Sequence, residues 1–589
     1  MEVKRAFDFL YNQHTCHPID DCLCGKVNGN WKKYSTQEFV DIANKLSLGF
    51  LELGLHPGDK VAIISPNRPE WNFVDQACLE LGLVTVPMYP TITTEDYRYI
   101  FEHSEVKAVF AANEELIDRV SVAIEALSIP HIYSFDKIEG IDHWEKLLSL
   151  GQTNDDSVLE GYRNSVRPED LMTIIYTSGT TGRPKGVMLS HWNVTSNALS
   201  LAPLIGKILP VGNARVLSFL PLCHIYERVA IYFYYHNSMS IYYAESMDSI
   251  GENIREVKPS MFTCVPRLIE KVYDKIISKG YELPLLKRKL FFWAVKLGLQ
   301  YEPNEEYSRW YKLQLKIARN LVFAKWQKAL GGKIQLITSG AAALQARLAR
   351  VFWAAGMPVF EGYGLTETSP AITTNFPGKG NTRIGTVGQI IEGVEVKIAD
   401  DGEILCQGPN VMLGYYKNPT LTAEVLKDGW FHTGDIGVIE DGFLRITDRK
   451  KEMFKTSGGK YIAPQLMENK FKESEFIEQI MVLGEGQKFP SALIVPNFES
   501  LKEWCENNEL HEAAPEDLIK HPKVQGLYQI EVKKYNEEFG NWEQVKKFEI
   551  VEKVWAVASG ELTPTMKLKR RVIKEKFKEL IEKIYAMSS

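Results

Sequence analysis

The sequence runs to 589 residues, too many for one hydrophobic core, so two or more domains are expected; its 45% hydrophobic and 24% charged content is ordinary for a globular chain. A net charge of −6 and a pI near 6.1 argue against nucleic-acid binding, which usually needs a basic excess. No run of eighteen apolar residues offers a membrane span, and MEVKRAFDFLYNQ lacks the apolar core of a signal peptide, so a reducing cytoplasmic setting is expected.

In chain order, His14, Cys16, His17, Cys22 and Cys24 crowd together, but their spacing matches no zinc pattern and they read as ordinary imidazoles and thiols. Ser35-Thr36-Gln37-Glu38 is a capping box that opens a helix ending near Gly54. A strand at 60–64, a helix at 67–81, and strands at 83–86, 106–111 and 131–135 then alternate as in an α/β domain with largely parallel sheets. The apolar residues 171–175 lead into a glycine-rich stretch. Residues 219–244 are dense in aromatics; they suit either the wall of an apolar tunnel or the buried core of a sheet. Residues 268–330 show long helical periodicity, with Trp293, Trp310 and Trp326 among the apolar positions, and read as a helical insertion. Residues 437–446 form a hairpin with Asp441-Gly442 as its turn. The charged run Asp448-Arg449-Lys450-Lys451 marks a domain boundary, giving a large multi-subdomain region, 1–449, and a smaller α+β domain, 450–589. At the C-terminus Ile573, Phe577, Leu580, Ile581 and Ile584 share one helical face. That face suits an anionic membrane surface or its own domain, and docking on the domain is the expectation.

The stretch Tyr176-Thr-Ser-Gly-Thr-Thr-Gly-Arg-Pro-Lys-Gly186 carries the first chemistry. Gly179, Gly182 and Gly186 let the backbone turn and approach a ligand closely. Thr177, Ser178, Thr180 and Thr181 add hydroxyls, and Lys185 adds a mobile cation, a set suited to the oxygens of a nucleotide triphosphate. On composition alone the stretch also reads as a flexible polar loop. It is not a G-x-x-x-x-G-K-[ST] loop: Pro184 stands where the second glycine belongs and cannot donate an N–H, and Gly186 has no hydroxyl for a metal.

The stretch resembles the phosphate-binding motif of the adenylate-forming superfamily of acyl-CoA synthetases, luciferases and peptide-synthetase adenylation domains. Five further motifs follow in order across about 400 residues. The resemblance of Gly362-Tyr363-Gly364-Leu365-Thr366-Glu367-Thr368 implies that Thr366 binds a phosphate and Glu367 holds Mg2+, a hard cation for which a carboxylate is the natural ligand. Gly340-Ala341-Ala342 and Glu361-Gly362-Tyr363 would flank the adenine. Asp435, in Trp430-Phe-His-Thr-Gly-Asp435, would accept hydrogen bonds from the ribose, with Arg449 beside it and Lys451 as the hinge. Leu562-Thr-Pro-Thr-Met-Lys567-Leu-Lys569-Arg570-Arg571 is similar to the last motif; Thr565-Met566 stands where Ser-Gly is usual, and the double arginine aligns Lys567, rather than Lys569, as the catalytic lysine. Ser457-Gly458-Gly459 would admit the pantetheine arm of coenzyme A.

The segment Phe219-Leu-Pro-Leu-Cys-His224-Ile-Tyr226-Glu227-Arg228, the helical insertion and the Lys567 ending are together similar to long-chain acyl-CoA synthetases, with His224 and Tyr226 at the acyl pocket. This implies activation of a fatty acid by ATP and Mg2+ to an acyl-AMP, followed by transfer to coenzyme A as a mobile C-terminal lid swings about the hinge. Transfer to a carrier protein or another thiol, or action on medium-chain acids, is the alternative. A scaffold that keeps the motifs without turnover is a third reading, against which intact Lys185, Glu367, Asp435 and Lys567 argue.

Overall fold

The computed structural model describes residues 2–125, 127–151, 157–177, 183–510, 514–563 and 566–586. The chain divides into two compact units. One comprises residues 1–397, 405–432 and 441–444, the other 398–404, 433–440 and 445–589.

Two largely parallel sheets organise the first unit. In one, Val84–Met88, Lys60–Ile64, Val106–Ala111 and His131–Ser134 are parallel neighbours, and Leu171–Thr177 joins beside Val84–Met88. Val61, Ala62, Ile63 and Ile64 are all fully buried, so this strand is apolar on both faces rather than alternating, as a sheet covered on both sides requires. Lys60–Ile64 and Val106–Ala111 fall where the sequence places them. The helix expected over 67–81 is Pro69–Glu80, because Pro69 presets the first helical turn and holds Arg68 extended before it. Ser35 and Glu38 form the reciprocal capping box as expected, a feature that contributes about 1 kcal/mol to such a helix.

The second sheet of this unit places Val359–Gly364, Leu336–Ser339, Met261–Cys264, Arg215–Ser218 and Ser240–Tyr243 side by side, all parallel. The aromatic stretch supplies its strand Ser240–Tyr243 and the helix Ile225–His236. Ile231, Tyr232, Phe233, Tyr234, Tyr235, Tyr242 and Tyr243 are all buried there. Beneath this helix, Arg228 donates to Asp75, to Thr173 Oγ1 at 2.7 Å and to Thr85 Oγ1 at 2.8 Å, while Tyr232 Oη donates to Asp75 Oδ2 at 2.9 Å. A guanidinium so deep in the protein is tolerated because both terminal nitrogens meet acceptors, one of them charged, although Nε meets none among the described residues.

The insertion is a set of helices, Pro266–Tyr281, Leu285–Gly298 and Arg309–Ala318, the last continuing through a π turn, Arg319–Phe323, into Ala324–Ala329. Trp326 is buried and Trp293 half-buried, but Trp310 is 67% exposed rather than part of the core. The buried face of its helix is already taken by Leu315, Ala318 and Val322, which leaves Trp310 on the far side.

In the second unit, Ile477–Leu483 and Ser491–Pro496 are antiparallel and Lys547–Ile550 adds in parallel. Alternation is strict: Ile480, Val482, Ala492 and Ile494 pack into one core, and Met481, Leu483, Leu493 and Val495 into another on the opposite face. Ile573 and Ile584 are buried in the second of these cores, with Phe577, Leu580 and Ile581 packed against it. The C-terminal apolar face therefore docks on its own domain, as expected. Among the described residues no helix is long and apolar enough to cross a membrane.

Candidate active site

The glycine-rich stretch connects two antiparallel strands, Leu171–Thr177 and Lys185–Ser190, whose register sets Thr177 opposite Lys185. Ser178, Gly179, Thr180, Thr181 and Gly182 lie outside the described residues. Thr177 Oγ1 is buried without a hydrogen-bond partner among the described residues, so a polar ligand there would satisfy a group that otherwise goes unpaired. Gly186 closes the pairing because a Cβ there would meet Ile174 Cγ2 at 2.8 Å.

Lys185 Nζ lies 2.7 Å from Glu367 Oε1 and donates to Tyr415 Oη at 2.6 Å; that hydroxyl in turn donates to Glu367 Oε1 at 2.9 Å. Tyr415 arrives on Gly414–Tyr415, a short strand paired with Lys185–Ser190. Glu367 stands on the single turn Thr366–Thr368. Close packing fixes this turn: a Cβ on Gly364 would fall 1.6 Å from the Pro370 carbonyl oxygen, so glycine is obligatory. Thr368 Oγ1 accepts from Leu365 N at 2.9 Å and donates to Pro370 O at 2.6 Å, and Met412 N donates to Glu367 O at 2.9 Å. Burial alone would push the Glu367 carboxyl up, but the Lys185 ammonium and its hydrogen bond outweigh this and hold it below the usual range. Glu367 is therefore an ionised, buried carboxylate paired with Lys185, the residue opposite Thr177, whose hydroxyl has no partner among the described residues; such oxygen donors would fit a divalent cation and phosphate. Thr366, half-buried, precedes it on the same turn.

Gly340 and Gly362 come together at the ends of adjacent parallel strands, in register through Ser339 and Glu361. A Cβ on Gly340 would touch Gly362 O at 3.5 Å and the Tyr226 ring at 3.4 Å. Ala341 adopts φ +67°, turning the chain sharply before Ala342. Tyr226 Oη donates to Thr338 Oγ1 at 3.2 Å, and His224 caps the same helix, its Nδ1 accepting from Tyr226 N at 3.2 Å. Burial pushes the Glu361 carboxyl up to about 8, with a backbone hydrogen bond from Leu344 pulling the other way, so Glu361 is largely neutral at pH 7. Tyr363 completes this strand and is buried.

The second unit carries the other expected set. Asp435 is buried, its N–H donates to Thr433 Oγ1 at 3.1 Å, and Arg449 Nε lies 3.2 Å from its Oδ1. The turn between their strands, Asp441-Gly442, has φ +49° and +82°, the conformation a two-residue hairpin demands. Lys450 Nζ binds Asp401 Oδ2 at 2.5 Å and Glu403 Oε2 at 2.9 Å, while Lys451 beside it is exposed. Lys567 is half-buried on a tight loop: Thr563 N donates to Lys567 O at 2.8 Å, and Lys567 N to Thr563 Oγ1 at 3.0 Å. Arg570 anchors the loop through both carboxylate oxygens of Glu468, at 2.8 and 2.7 Å, and Glu452 at 3.0 Å. Ser457-Gly458-Gly459 tops a short hairpin; Gly459 has φ +75° and a Cβ on Gly458 would meet only Thr456 Oγ1, at 3.9 Å.

Sequence reasoning missed Tyr415, the Asp75–Arg228 pair and the Glu468 anchor. Tyr415 and Lys185 are 230 residues apart, and no spacing rule links them. At the N-terminus Cys22 donates to Gln13 Oε1 at 3.2 Å, and no group of three metal-ligating side chains forms among the described residues.

Residues 11–416 match the model of the AMP-binding enzyme family, and residues 452–589 that of the AMP-binding enzyme C-terminal domain. The chain is 34% identical over 566 residues to the long-chain-fatty-acid–CoA ligase FadD15 of Mycobacterium bovis, spanning 95% of this chain and 93% of that protein. It is 31% identical to human long-chain-fatty-acid–CoA ligase 1, spanning 94% and 82%. In fold it is similar to the anthranilate CoA ligase AuaEII in complex with anthranoyl-AMP, with a TM-score of 0.74, 18% identity and 98% of each chain covered. The family models over most of its length and the relatives at 31–34% identity make the chain a member of the AMP-binding enzyme family.

Proposed function

We propose that the chain ligates a long-chain fatty acid to coenzyme A in two steps, and that the residues assembled above divide the work. The observation that carries this reading is similarity along nearly the whole chain to long-chain-fatty-acid–CoA ligases. In the first step a carboxylate oxygen attacks the α-phosphorus of ATP, the bond to the β-phosphate oxygen breaks, and pyrophosphate leaves. Thr177, Ser178, Gly179, Thr180, Thr181, Gly182 and Lys185 cradle the phosphates, with Thr366 donating to one of them. Gly340, Ala341, Ala342, Glu361, Gly362 and Tyr363 flank the adenine, and Asp435 and Arg449 hold the ribose. Lys567 offsets charge that builds between carboxylate and α-phosphate. Mg2+ held by Glu367 supplies neutralisation of the triphosphate charge. In the second step the thiol sulfur of coenzyme A attacks the acyl carbonyl, AMP departs with the bonding pair, and the thiol proton is lost. His224 and Tyr226 border the acyl group, and Ser457, Gly458 and Gly459 admit pantetheine. Residues 450–589 act as a lid on 1–449 that pivots at Lys451 between the steps.

Purified protein given ATP, Mg2+ and a ladder of fatty acids should release AMP and pyrophosphate and form the thioester only when coenzyme A is present. Pyrophosphate release with no thioester at any chain length would refute the coenzyme A assignment. Two substitutions test the parts. Glu367→Gln keeps the volume but removes the charge facing Lys185, and should raise the Mg2+ concentration for half-maximal rate about tenfold, at ~1.4 kcal/mol of lost cation binding. An unchanged Mg2+ titration would remove Glu367 as a ligand. Lys451→Pro should slow thioester formation from preformed acyl-AMP roughly tenfold while leaving pyrophosphate release intact, because proline fixes φ at the pivot. Normal overall turnover would withdraw the hinge.

A further inference from the structure

We infer that the helical insertion is a docking surface for an anionic lipid bilayer. The helix that begins at Arg309 buries Leu315, Ala318 and Val322 against the first unit and turns an apolar stripe outward. Trp310, Leu313, Ile317 and Leu321 recur at intervals of three or four residues, so they share one face, and they are 67%, 49%, 41% and 49% exposed. Large side chains so exposed at helical spacing mark an interaction surface rather than scattered surface residues. The preceding helix in the insertion, Leu285–Gly298, repeats the feature: Leu285 and Leu286 are exposed and are followed by Lys287, Arg288 and Lys289, also exposed.

Charge selects the occupant. Residues 266–329 hold fourteen Lys and Arg against six Asp and Glu, in a chain whose net charge is −6. Lys312 and Lys316 border the stripe and Lys325 and Lys328 continue it; all four are exposed, and none makes an ion pair among the described residues. An outward apolar row with a tryptophan, edged by unpaired lysines, is the pattern of a helix lying in the plane of a lipid surface. Against a second copy of this chain, the lysines would approach another equally basic insertion. The C-terminal helices do not compete for this role, because their apolar face is spent on their own core. The inference does not depend on the catalytic assignments.

The test is co-sedimentation of the full-length protein with sucrose-loaded vesicles of phosphatidylcholine containing 30% phosphatidylglycerol, as a probe composition, against pure phosphatidylcholine. The intact chain should partition at least tenfold more strongly onto the anionic vesicles. The triple variant Trp310→Ser, Leu313→Ser, Ile317→Ser and the double variant Lys312→Glu, Lys316→Glu should each lower that partition at least tenfold. Both should keep the far-UV circular dichroism spectrum and the urea midpoint of the intact chain, which shows that they are folded. Equal sedimentation on both lipids, or triple-variant binding equal to that of the intact chain, would overturn the inference. So would light scattering that shows a dimer converted to a monomer by the triple variant, since the stripe would then belong to a second copy.

Discussion

Lys567→Ala should lower the rate of carboxylate-dependent pyrophosphate release by about 10²–10³-fold, the usual loss when one preorganised donor to developing charge is removed. The same variant, supplied with preformed acyl-AMP and coenzyme A, should make thioester at near the unaltered rate, because the lysine serves only the step that forms the anhydride. The backbone that carries this lysine is held in place. Two backbone bonds close the loop around Thr563, and Met566 takes φ +63° to complete the turn. Behind the loop, Arg570 is gripped by Glu468 and Glu452. Lys569 stands differently: its N–H donates to Glu561 O at 2.7 Å, and it sits where the helix Arg570–Lys576 begins. Lys569→Ala should therefore cost less than about fivefold, well below one oxyanion-type donor. Isotope exchange of pyrophosphate into ATP separates the cases. Loss of both half-reactions in Lys567→Ala, or equal loss in Lys569→Ala, would defeat the assignment.

Much of the fold was legible because the parts concerned are governed by near neighbours. The capping box at Ser35, the strand Lys60–Ile64 and the turn at Asp441-Gly442 each follow from residues within a few positions of one another. The motif residues were legible for a different reason. A glycine whose Cβ would collide with a carbonyl, as at Gly364, leaves a mark in the sequence that a flexible side chain does not. Burial on a given face was harder to see. Trp310 satisfies the apolar periodicity of its helix, yet Leu315, Ala318 and Val322 define the inward side, and only the packed structure decides between two apolar faces. The aromatic stretch posed the same problem, since burial in a core and lining of a tunnel demand the same residues. Long-range polar partners were invisible altogether: Arg228 and Asp75 meet across 153 residues.

That pair supports the second large expectation. Arg228→Met should destabilise the first unit by about 3–5 kcal/mol, the cost of leaving a buried charge without its partner. Asp75 is almost wholly buried; burial drives its carboxyl above the ordinary value, while Arg228, Tyr232 and Thr85 pull it back. With the guanidinium gone, the carboxyl rises further and the folded state prefers it protonated. A carboxyl raised on folding stabilises the native state below its unfolded value and loses that contribution as pH climbs through the folded one, so the penalty should grow from pH 5 to pH 8. In the double variant Asp75→Leu, Arg228→Met neither charge remains, and the loss should be smaller than in Arg228→Met alone despite two altered side chains. Urea midpoints of the parent and both variants at the two pH values measure this. A double variant less stable than Arg228→Met, or a penalty that shrinks with rising pH, would show that shape and packing at Arg228, rather than its charge, hold the helix Ile225–His236 against the sheet.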